Sequence, residues 1–540
     1  MTARHSSRGR RRRGDAEVLV AGAGPTGLTL ACELLRRGVA VRLIDRAEEP
    51  MRAPKALSLW PRALDILDDL GVGAAVTAAS TPIRAFSYFS DGRPLATFGF
   101  APGLASRTLP QYETERLLTE RLHELGGKIE RGVRLVSLDD AAGRAARDPD
   151  GGPAVGLEHP DGSPEHIRVP YVAGADGASS TVRRLLGIGF EGSTYEMAFA
   201  LIDARTSGGL PADEVLYYQA AAGTLVVVPM PGGVFRFLAV LPEGRPMSVE
   251  LMQQLVDERG PRVRITEPVW ETVFRVHARH AESFRAGRAF LLGDAAHVHS
   301  PAGGQGMNNG LQDAGNLGWK LAAVLRGDAP PHLLESYGPE RIQATRRIVR
   351  DTDLQTRAWM VRGGLRKGAR DLAFRLLERT GAVSRFYAPV MAGRRLHYPP
   401  ARTSQAPSRG VGCLLARHVP GAVRVGGAVP RGSALAKPHG TTAREWLLAV
   451  RPPAGAAAWQ AELGRLAASY PQLHQVRVDR DELRAAGACA RPGFHLVRPD
   501  GHVAAHGHAG DLERLRAELA AVLLPRAGAP ADDPAGKEPS

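Results

Sequence analysis

Apolar positions near the start of the chain predict a strand, a helix and a second strand. Residues 17–21 and 39–44 are apolar runs of strand length, and residues 28–37 carry a helical pattern that ends at Gly38. A glycine-rich turn, residues 22–27, joins the first strand to the helix. This order is that of a βαβ unit and predicts a parallel sheet.

The hydrophobic pattern changes further along the chain. Residues 197–243 alternate between apolar and polar positions and contain glycine-rich turns, which favours an antiparallel sheet. Residues 289–292 read as a short buried strand, and residues 305–325 as a long amphipathic helix. Beyond the proline-containing stretch 398–409, a further set of strands and helices ends with a helix over 511–524, which predicts a separate small α/β unit.

The chain is too long for a single hydrophobic core and carries an excess of positive charge. Its 540 residues predict two or three domains. The formal net charge is +14, and six arginines within the first 13 residues supply nearly half of it. Because these arginines precede the first strand, a solvated basic tail or an over-extended start site explains them better than a nucleic-acid-binding arm.

Cysteine content and hydropathy bear on the compartment. Cys32, Cys413 and Cys489 are too few for a disulfide framework in a chain of this size, which favours a reducing cytoplasm. No apolar run reaches the roughly 18 residues that a membrane-spanning helix requires. The sequence therefore predicts a cytoplasmic protein without a membrane partner.

The first glycine motif is typical of dinucleotide binding. Gly22, Gly24 and Gly27 have the spacing G-x-G-x-x-G between a strand and a helix, so the backbone can approach a pyrophosphate at the helix N-terminus. Asp45 ends the second strand, 18 residues after Gly27, where an acid can accept hydrogen bonds from a ribose. Arg46 follows it as a further candidate contact.

Two further motifs combine glycine with an acid. Asp176 and Gly177 belong to a Gly-Ala-Asp-Gly segment that alone would fit any turn. Gly293 and Asp294 follow a short strand, where an aspartate can bind the hydroxyl of a sugar alcohol. The glycine-rich segment 301–308 then leads into a helix N-terminus, whose N–H groups and positive dipole end favour an anion.

Together the three motifs resemble those of FAD-dependent aromatic hydroxylases of the para-hydroxybenzoate hydroxylase type. Segments 314–320 (Ala-Gly-Asn-Leu-Gly-Trp-Lys) and 109–115 (Leu-Pro-Gln-Tyr-Glu-Thr-Glu) match the family as well. The likeness covers about residues 15–400 and is strongest to the branch with phenol hydroxylase, rifampicin monooxygenase and polyketide hydroxylases. It implies an α/β fold in which a doubly wound FAD-binding domain of the glutathione-reductase type is interleaved with an antiparallel-sheet substrate domain.

The resemblance implies roles for particular residues. Gln111 would contact the flavin or its phosphates, and Asp294 would hold the ribityl chain. Asp176 and Gly177 would lie near the pyrophosphate and the nicotinamide. The pyrimidine end of the flavin would rest on Gly304, Gln305, Gly306, Met307 and Asn308.

Two residues are implied to lie closer to the reaction. The backbone at Pro301 would lie beside the reacting oxygen. Arg52 falls where the family keeps an arginine near the mobile flavin. The Ala-Pro-Lys-Ala that follows Arg52 departs from the commoner Arg-Gly pattern.

The resemblance and the composition together predict the domain limits. We expect a disordered basic tail at 1–14, an FAD-binding domain with a helical extension at 15–85, 105–189 and 281–397, a substrate domain at 86–104 and 190–280, a linker at 398–409, a thioredoxin-like domain without Cys-x-x-Cys at 410–525, and a disordered tail at 526–540. Arg451-Pro452-Pro453 stands where a thioredoxin would carry its dithiol, so no dithiol shuttle is expected.

The implied reaction uses NAD(P)H and O2 to hydroxylate a small phenolic or polyketide-like substrate through a flavin C4a-hydroperoxide. Alternatives on the same fold are Baeyer–Villiger oxidation, epoxidation and dehydrogenation, and a flavoprotein that sequesters an intermediate without turnover. Tyr217, Tyr218 and several histidines remain open as the base that deprotonates a phenol. A homodimer also remains open.

The histidine pairs that stand out in the sequence do not predict a metal site. His297 with His299, and His277 with His280, lack carboxylate or cysteine companions at ligand spacing. His297 also lies inside the third motif. We therefore expect no metal and no nucleic-acid partner.

Overall fold

The computed structural model describes residues 16–139, 152–220, 223–300, 302–359, 364–399, 423–436 and 445–525. The expected tails at 1–14 and 526–540 lie outside these ranges, as do Pro301, Cys413 and residues 400–409 of the expected linker. Within the described ranges, no helix is long and apolar enough to cross a membrane.

A six-stranded sheet forms the centre of the first part of the chain. Its strands lie in the order Arg285–Ala286, Ala289–Leu291, Tyr171–Gly174, Val18–Ala21, Val41–Asp45 and Ile129–Arg131. The edge strand Arg285–Ala286 is antiparallel to its neighbour, and the other pairs are parallel. Strand Val18–Ala21 is buried along its whole length, which explains why its sequence is a continuous apolar run.

Helix Pro25–Leu35 follows the first strand and begins three residues earlier than the apolar pattern predicted. Its first residue is a proline, which is favourable there because the first turn of a helix needs no backbone donor. The helix packs against helices Gln111–Glu124 and Gly306–Leu325. The glycine motif is therefore the start of a helix held on two sides.

The remaining helices of this part cover the sheets and close the molecule. They are Pro61–Asp69, Gly73–Ala79, Thr181–Leu185, Val249–Arg259, Tyr337–Trp359, Gly364–Thr380 and Ala388–Met391, with a π-helical stretch at Val383–Tyr387. Two small three-stranded sheets consist of Arg134–Asp139, Ala154–Glu158 and Pro164–Arg168, and of Ser58–Leu59, Thr81–Ile83 and Ser106–Thr108.

An eight-stranded sheet stands beside the parallel one, as the alternating pattern predicted. Its order is His297–Val298, Arg264–Ala281, Phe190–Ser207, Phe235–Val240, Gly223–Pro229, Glu214–Ala220, Ala85–Ser90 and Arg93–Gly99. Neighbours are antiparallel except for Glu214–Ala220 and Ala85–Ser90.

The two faces of this sheet carry different cores. Leu216 and Tyr218 pack on one face with helix Val249–Arg259. The alternate residues Val215 and Tyr217 point to the other face and join an aromatic cluster. The alternation in the sequence thus separates a structural face from a face that borders the glycine-rich segment after residue 300.

The C-terminal unit has a four-stranded sheet of its own. Its strands lie in the order Leu473–Arg477, Trp446–Arg451, Gly493–Val497 and Val503–His508, and its helices are Ala457–Ala468, Arg480–Ala485 and Leu512–Val522. The first pair is parallel and the other pairs are antiparallel. Sequence analysis missed helix Arg480–Ala485, although Asp479 and Glu482 form the capping box that begins it.

A buried ion network joins the C-terminal unit to helix Tyr337–Trp359. Arg498 donates to both carboxylate oxygens of Glu340, at 2.7 and 3.0 Å, and Lys320 donates to Glu340 at 2.8 Å. Trp319 and Trp446 also meet edge to face, with ring centroids 5.5 Å apart. The two parts therefore share both apolar and ionic contacts.

Burial and pairing shift the pKa values of this network. Burial lowers the pKa of Lys320 to about 8, although Glu340 opposes the shift. Burial acts to raise the pKa of Glu340, but the cations of Arg498 and Lys320 prevail and lower it to about 2. The Glu340 carboxylate is therefore charged at neutral pH and compensates two buried cations.

We expect Glu340→Gln to destabilise the protein by about 3–5 kcal/mol, because it leaves the buried Lys320 without its carboxylate partner and Arg498 with Asp500 alone. The matched control is Glu462→Gln, which breaks the more exposed pair with Arg516 and should cost no more than about 1 kcal/mol. Urea unfolding followed by tryptophan fluorescence measures both. Equal losses in the two variants would contradict this role.

Candidate active site

The first glycine motif lies against the second through backbone contacts that exclude any side chain. Gly22 has a φ of +104°, and a Cβ there would lie 2.3 Å from the carbonyl oxygen of Ala175. A Cβ on Gly27 would lie 1.8 Å from the oxygen of Gly22. Gly24 differs, since a Cβ there would meet nothing within 4 Å. The turn is closed on its inner side and open at Gly24, next to a helix N-terminus.

Asp45 holds this turn from the end of its strand. Its carboxylate accepts hydrogen bonds from the backbone N–H of Ala23, at 2.6 Å, and of Ala47, at 2.8 Å. The side chain is half-buried, so carboxylate lone pairs remain for a ligand. The neighbouring Arg46 donates to Ser179 at 3.3 Å and so reaches the loop of the second motif.

Asp176 shapes that loop through three hydrogen bonds. It accepts from the Ser180 hydroxyl and from the backbone N–H groups of Thr181 and Val182, at 2.6 and 3.1 Å. The carboxylate thus holds the start of helix Thr181–Leu185. Gly177 beside it has a φ of +83° and open space where a Cβ would be.

The third motif packs on the first through Thr26. A Cβ on Gly293 would lie 2.6 Å from the Thr26 hydroxyl oxygen, and one on Gly310 would lie 2.2 Å from it. Glycine is therefore required at both positions for helix Pro25–Leu35 and helix Gly306–Leu325 to approach this closely. The contact brings Gly24 and Asp294 to the same side of the parallel sheet, beyond the carboxyl ends of its strands.

Asp294 has the environment of a carboxylate inside a cleft. Its side chain is exposed to solvent, yet protein surrounds it and the resulting desolvation raises its pKa. His297 and Lys55 oppose this shift. An accessible carboxylate that is largely surrounded by protein suits the binding of ligand hydroxyl groups.

The segment 304–308 is fixed to strand Ser58–Leu59. The Asn308 side chain accepts a hydrogen bond from the backbone N–H of Trp60 at 2.7 Å. It donates to the backbone carbonyls of Ser58, at 2.8 Å, and Gly304, at 2.7 Å. A Cβ on Gly304 would lie 2.6 Å from the Ser58 hydroxyl oxygen. The structure thus gives Asn308 a part in holding the turn.

The other residues of this segment differ in their surroundings. Gln305 donates to the carbonyl of Met391 at 3.0 Å, and Met307 is buried. Gly306 has open space where a Cβ would be. Among the described residues, no side chain caps the helix that starts at Gly306, or the one that starts at Pro25. Both N-termini can therefore face a ligand anion.

Gln111 lies beside the segment that precedes strand Ser58–Leu59. It accepts from the Ala56 N–H at 3.1 Å and donates to Glu115 at 2.9 Å. Arg52 is not drawn into this group, because its side chain is 90% exposed and its recorded ionic partner is Glu49, at 3.7 Å. The basic residue of this segment that acts on Asp294 is Lys55, which sequence analysis did not single out.

The backbone at Lys55 is held by a buried ion pair. Arg236 donates to both oxygens of Asp203, at 2.7 and 2.8 Å, and its remaining hydrogens bind the carbonyls of Pro54 and Lys55. The Lys55 side chain itself is exposed, and its charge acts on both Asp294 and Glu115. Lys55 therefore presents a cation to the cleft from a fixed backbone.

A buried polar network beneath the cleft was also missed. The Asp313 carboxylate accepts a hydrogen bond from the Gly293 N–H at 2.9 Å and another from Nε of Arg341 at 2.6 Å. Nε2 of His297 also lies 2.6 Å from this carboxylate. Arg341 also donates to Asn309. Burial opposes ionisation of Asp313, but Arg341 and His297 lower its pKa. The signal in the sequence was an acidic residue placed among the apolar positions of the amphipathic helix over 305–325.

Tyr217 and Tyr218, two candidates for the substrate-deprotonating base, do not suit that role. Burial raises the pKa of Tyr217 well above the ordinary value and that of Tyr218 to about 12. Both phenols are protonated at neutral pH and cannot accept a proton there. Burial also lowers the pKa of His299 to about 4, so that its imidazole is neutral at pH 7.

An aromatic cluster borders the glycine-rich segment. The Trp60 indole donates to the carbonyl of Gly303 at 2.8 Å, and its ring lies edge-on to Phe86 and Phe100, with centroids 6.0 and 5.6 Å away. Tyr217 packs on Phe86 at 5.5 Å. The cluster supplies an apolar, aromatic wall beside the turn that enters helix Gly306–Leu325.

Comparison with known proteins agrees with this geometry. The family described as FAD binding domain matches residues 15–352. The 6-methylpretetramide 4-monooxygenase of Streptomyces rimosus is 35% identical over 561 residues, covering 96% of each chain. The 12-dehydrotetracycline 5-monooxygenase/anhydrotetracycline 6-monooxygenase of Streptomyces rimosus subsp. rimosus is 33% identical over 518 residues, covering 90% of this chain and 94% of its own.

A solved structure is similar over nearly the whole chain. The anhydrotetracycline hydroxylase OxyS from Streptomyces rimosus superposes with a TM-score of 0.71 at 28% identity, covering 94% of this chain and 99% of its own. These similarities extend beyond the region of the family match, so they include the C-terminal unit.

We expect Asp294→Ala to weaken FAD binding by about 1.5–3 kcal/mol, because it removes a charged acceptor from the cleft. Asp313→Asn is the contrasting variant, since it leaves Arg341 buried without its counter-ion and should destabilise the apo-protein by about 3–5 kcal/mol. Flavin titration gives the affinity, and urea unfolding of the apo-protein gives the stability. Unchanged FAD affinity in Asp294→Ala, or an equal loss of apo-protein stability in both variants, would contradict these assignments.

Proposed function

Because this chain belongs to the family of FAD-dependent aromatic monooxygenases, we propose that it uses NAD(P)H and O2 to hydroxylate a polycyclic aromatic substrate of the polyketide class. The observation that carries the proposal is the junction of the three glycine motifs, which leaves open space beside Gly24 and keeps the Asp294 side chain exposed. The relatives that cover most of the chain are named for oxidation of tetracycline-type compounds, which supports this substrate class over a simple phenol.

The residues of the cleft fit FAD in their order and chemistry. Asp45 would accept from the adenosine ribose, and the turn with Gly22, Gly24 and Gly27 would receive the pyrophosphate at a helix N-terminus. Asp294 would accept from the ribityl chain. Asp176 would act through the loop that it holds, with Gly177 and Arg46 at the edge of the cleft. The flavin ring would rest near Gln111 and on the segment Gly304, Gln305, Gly306, Met307 and Asn308.

Bound FAD would supply the redox chemistry, namely acceptance of a hydride from NAD(P)H and activation of O2, of which one oxygen atom goes to the substrate and the other leaves as water. The protein would stabilise the negative charge of the reduced ring through the N-terminus of helix Gly306–Leu325 and the cation of Lys55. Lys55 takes the part that the resemblance gave to Arg52. Asn308 would keep the turn at Gly304 in position through its contacts with Ser58 and Trp60.

The aromatic cluster would form the wall against which the substrate rings pack. Trp60 links this cluster to the carbonyl of Gly303, so the wall and the flavin-binding turn are held together. Aromatic rings pack favourably on polycyclic substrates and exclude water from the reaction. Tyr217, as a protonated phenol, would donate a hydrogen bond to substrate oxygen rather than accept a proton.

The C-terminal unit is proposed to be a thioredoxin-like domain without dithiol chemistry. Its order of strand, helix, parallel strand and hairpin followed by a helix supports this fold. The turn after its first strand carries Pro452 and Pro453 in place of a Cys-x-x-Cys. Its ionic contact through Arg498 and Glu340 supports a role in holding the adjoining helices.

The proposal is tested by measuring NAD(P)H oxidation by the FAD-loaded protein with a panel of tetracyclic and simpler phenols. We expect polycyclic phenols to stimulate NAD(P)H consumption and to give a product heavier by one oxygen atom.

Lys55→Met should lower the rate of flavin reduction or raise the peroxide yield, whereas Arg52→Met should resemble wild type. The variants are matched because both remove an exposed cation from the same segment.

Three results would count against the proposal. Substrate binding without NAD(P)H consumption would favour sequestration of an intermediate. Consumption with ring-expanded, epoxidised or dehydrogenated product would favour one of the other reactions of this fold. A stronger effect of Arg52→Met than of Lys55→Met would reverse the assignment of the cation.

A further inference from the structure

Three metal-ligating side chains meet in the C-terminal unit, outside the proposed active site. Cys489, His506 and His508 each offer one ligand atom, and these atoms all lie within 4.8 Å of one another. The Cys489 sulfur lies 3.6 Å from Nε2 of His508. All three residues are half-buried, so an ion could reach them from solvent and still be partly enclosed.

The backbone of the sheet produces this juxtaposition. His506 and His508 lie two residues apart on edge strand Val503–His508 and therefore project from the same face. Gly493 pairs with His508 across the ladder, and Cys489 lies four residues before Gly493, in the segment that leads into its strand. The cluster depends on strand pairing, which explains why no short ligand spacing marks it in the sequence.

A fourth imidazole stands next to the cluster on the same face. His495 is the cross-strand partner of His506, and their ring centroids are 4.5 Å apart. Side chains of directly paired residues project to the same side of a sheet. His495 is thus a candidate protein donor for a fourth ligand position, which water would otherwise fill.

We propose that Cys489, His506 and His508 bind a zinc ion. One thiolate and two imidazoles are ligands that zinc prefers, and carboxylate-preferring ions such as Mg²⁺ and Ca²⁺ are disfavoured by them. A tetrahedral ion with ordinary Zn–S and Zn–N bonds places sulfur and nitrogen ~3.5 Å apart, close to the separation of Cys489 and His508. The other separations among the three ligand atoms are at most 4.8 Å.

Binding changes the protonation of the cluster in a defined way. The S–H bond of Cys489 breaks, the proton leaves to the buffer, and the thiolate forms the bond to zinc. The two imidazoles bind through neutral ring nitrogens. No electron is transferred, because zinc has no accessible second oxidation state.

The ion would tie two parts of the C-terminal unit together. Cys489 belongs to the segment between helix Arg480–Ala485 and strand Gly493–Val497, whereas both histidines lie on the edge strand. The backbone N–H of His508 also donates to Asp511 at 2.7 Å, just before helix Leu512–Val522. Zinc would therefore hold together strand Val503–His508, the segment that precedes strand Gly493–Val497, and the start of helix Leu512–Val522. This structural role does not depend on the proposed oxidation reaction.

The test uses tag-free, full-length protein that has been treated with a chelator. Zinc affinity is measured by competition with a chromogenic chelator, and Co²⁺ is then added to fresh apo-protein as a spectroscopic probe. We expect one zinc ion per chain and a thiolate-to-cobalt charge-transfer band. Cys489→Ser should abolish the band, and Cys489→Ser and His506→Asn should each weaken zinc binding at least about tenfold.

Two matched controls separate the cluster from other thiols and histidines. Cys413→Ser removes a different thiol, and His474→Asn removes a histidine from another strand of the same sheet. Both should keep wild-type zinc affinity and the cobalt band. A wild-type protein without stoichiometric zinc binding or without the band would overturn the proposal, as would a band that persists in Cys489→Ser.

Discussion

The carboxylate of Asp313 is the interaction on which the rest of the candidate site depends. It is fully buried and receives the Gly293 N–H, the Arg341 guanidinium and the His297 ring. A buried charge of this kind is tolerated only when its partners are in place. Because Asp313 lies on helix Gly306–Leu325 and Gly293 precedes Asp294, this one side chain ties that helix to the turn that carries Asp294.

Close backbone packing provides the second constraint, and it leads directly to the function. Thr26 fills the space between Gly293 and Gly310, and the oxygen of Ala175 fills the space at Gly22. Segments from three distant parts of the chain therefore meet closely, with the Thr26 side chain between two of them; space remains beside Gly24, and Asp294 is exposed. Two helix N-termini that no described side chain caps, together with two carboxylates, are suited to the proposed dinucleotide, and the aromatic cluster at Trp60 is suited to the proposed ring-shaped substrate.

The opening βαβ unit, the antiparallel sheet, the helix over 305–325 and the three motifs could be predicted because each rests on local patterns of apolar residues and glycine, whereas the short helix Arg480–Ala485 was missed. The interactions that refine the site could not, because their partners are far apart in the sequence. Asp176 was expected near the ligand, but its helix-capping contacts require the folded loop. Lys55 was overlooked beside Arg52, since only the Arg236–Asp203 pair reveals which of the two has a fixed backbone. Cys489 and His508 likewise meet only through strand pairing.

A crystal structure of the protein with bound FAD tests the central claim most directly. The account predicts the adenosine ribose at Asp45, the pyrophosphate over Gly24 and a ribityl hydroxyl about 3 Å from the Asp294 carboxylate. The flavin ring should then lie against the segment that begins at Gly304. A cofactor bound elsewhere, or one whose ribityl chain makes no contact with Asp294, would contradict the account.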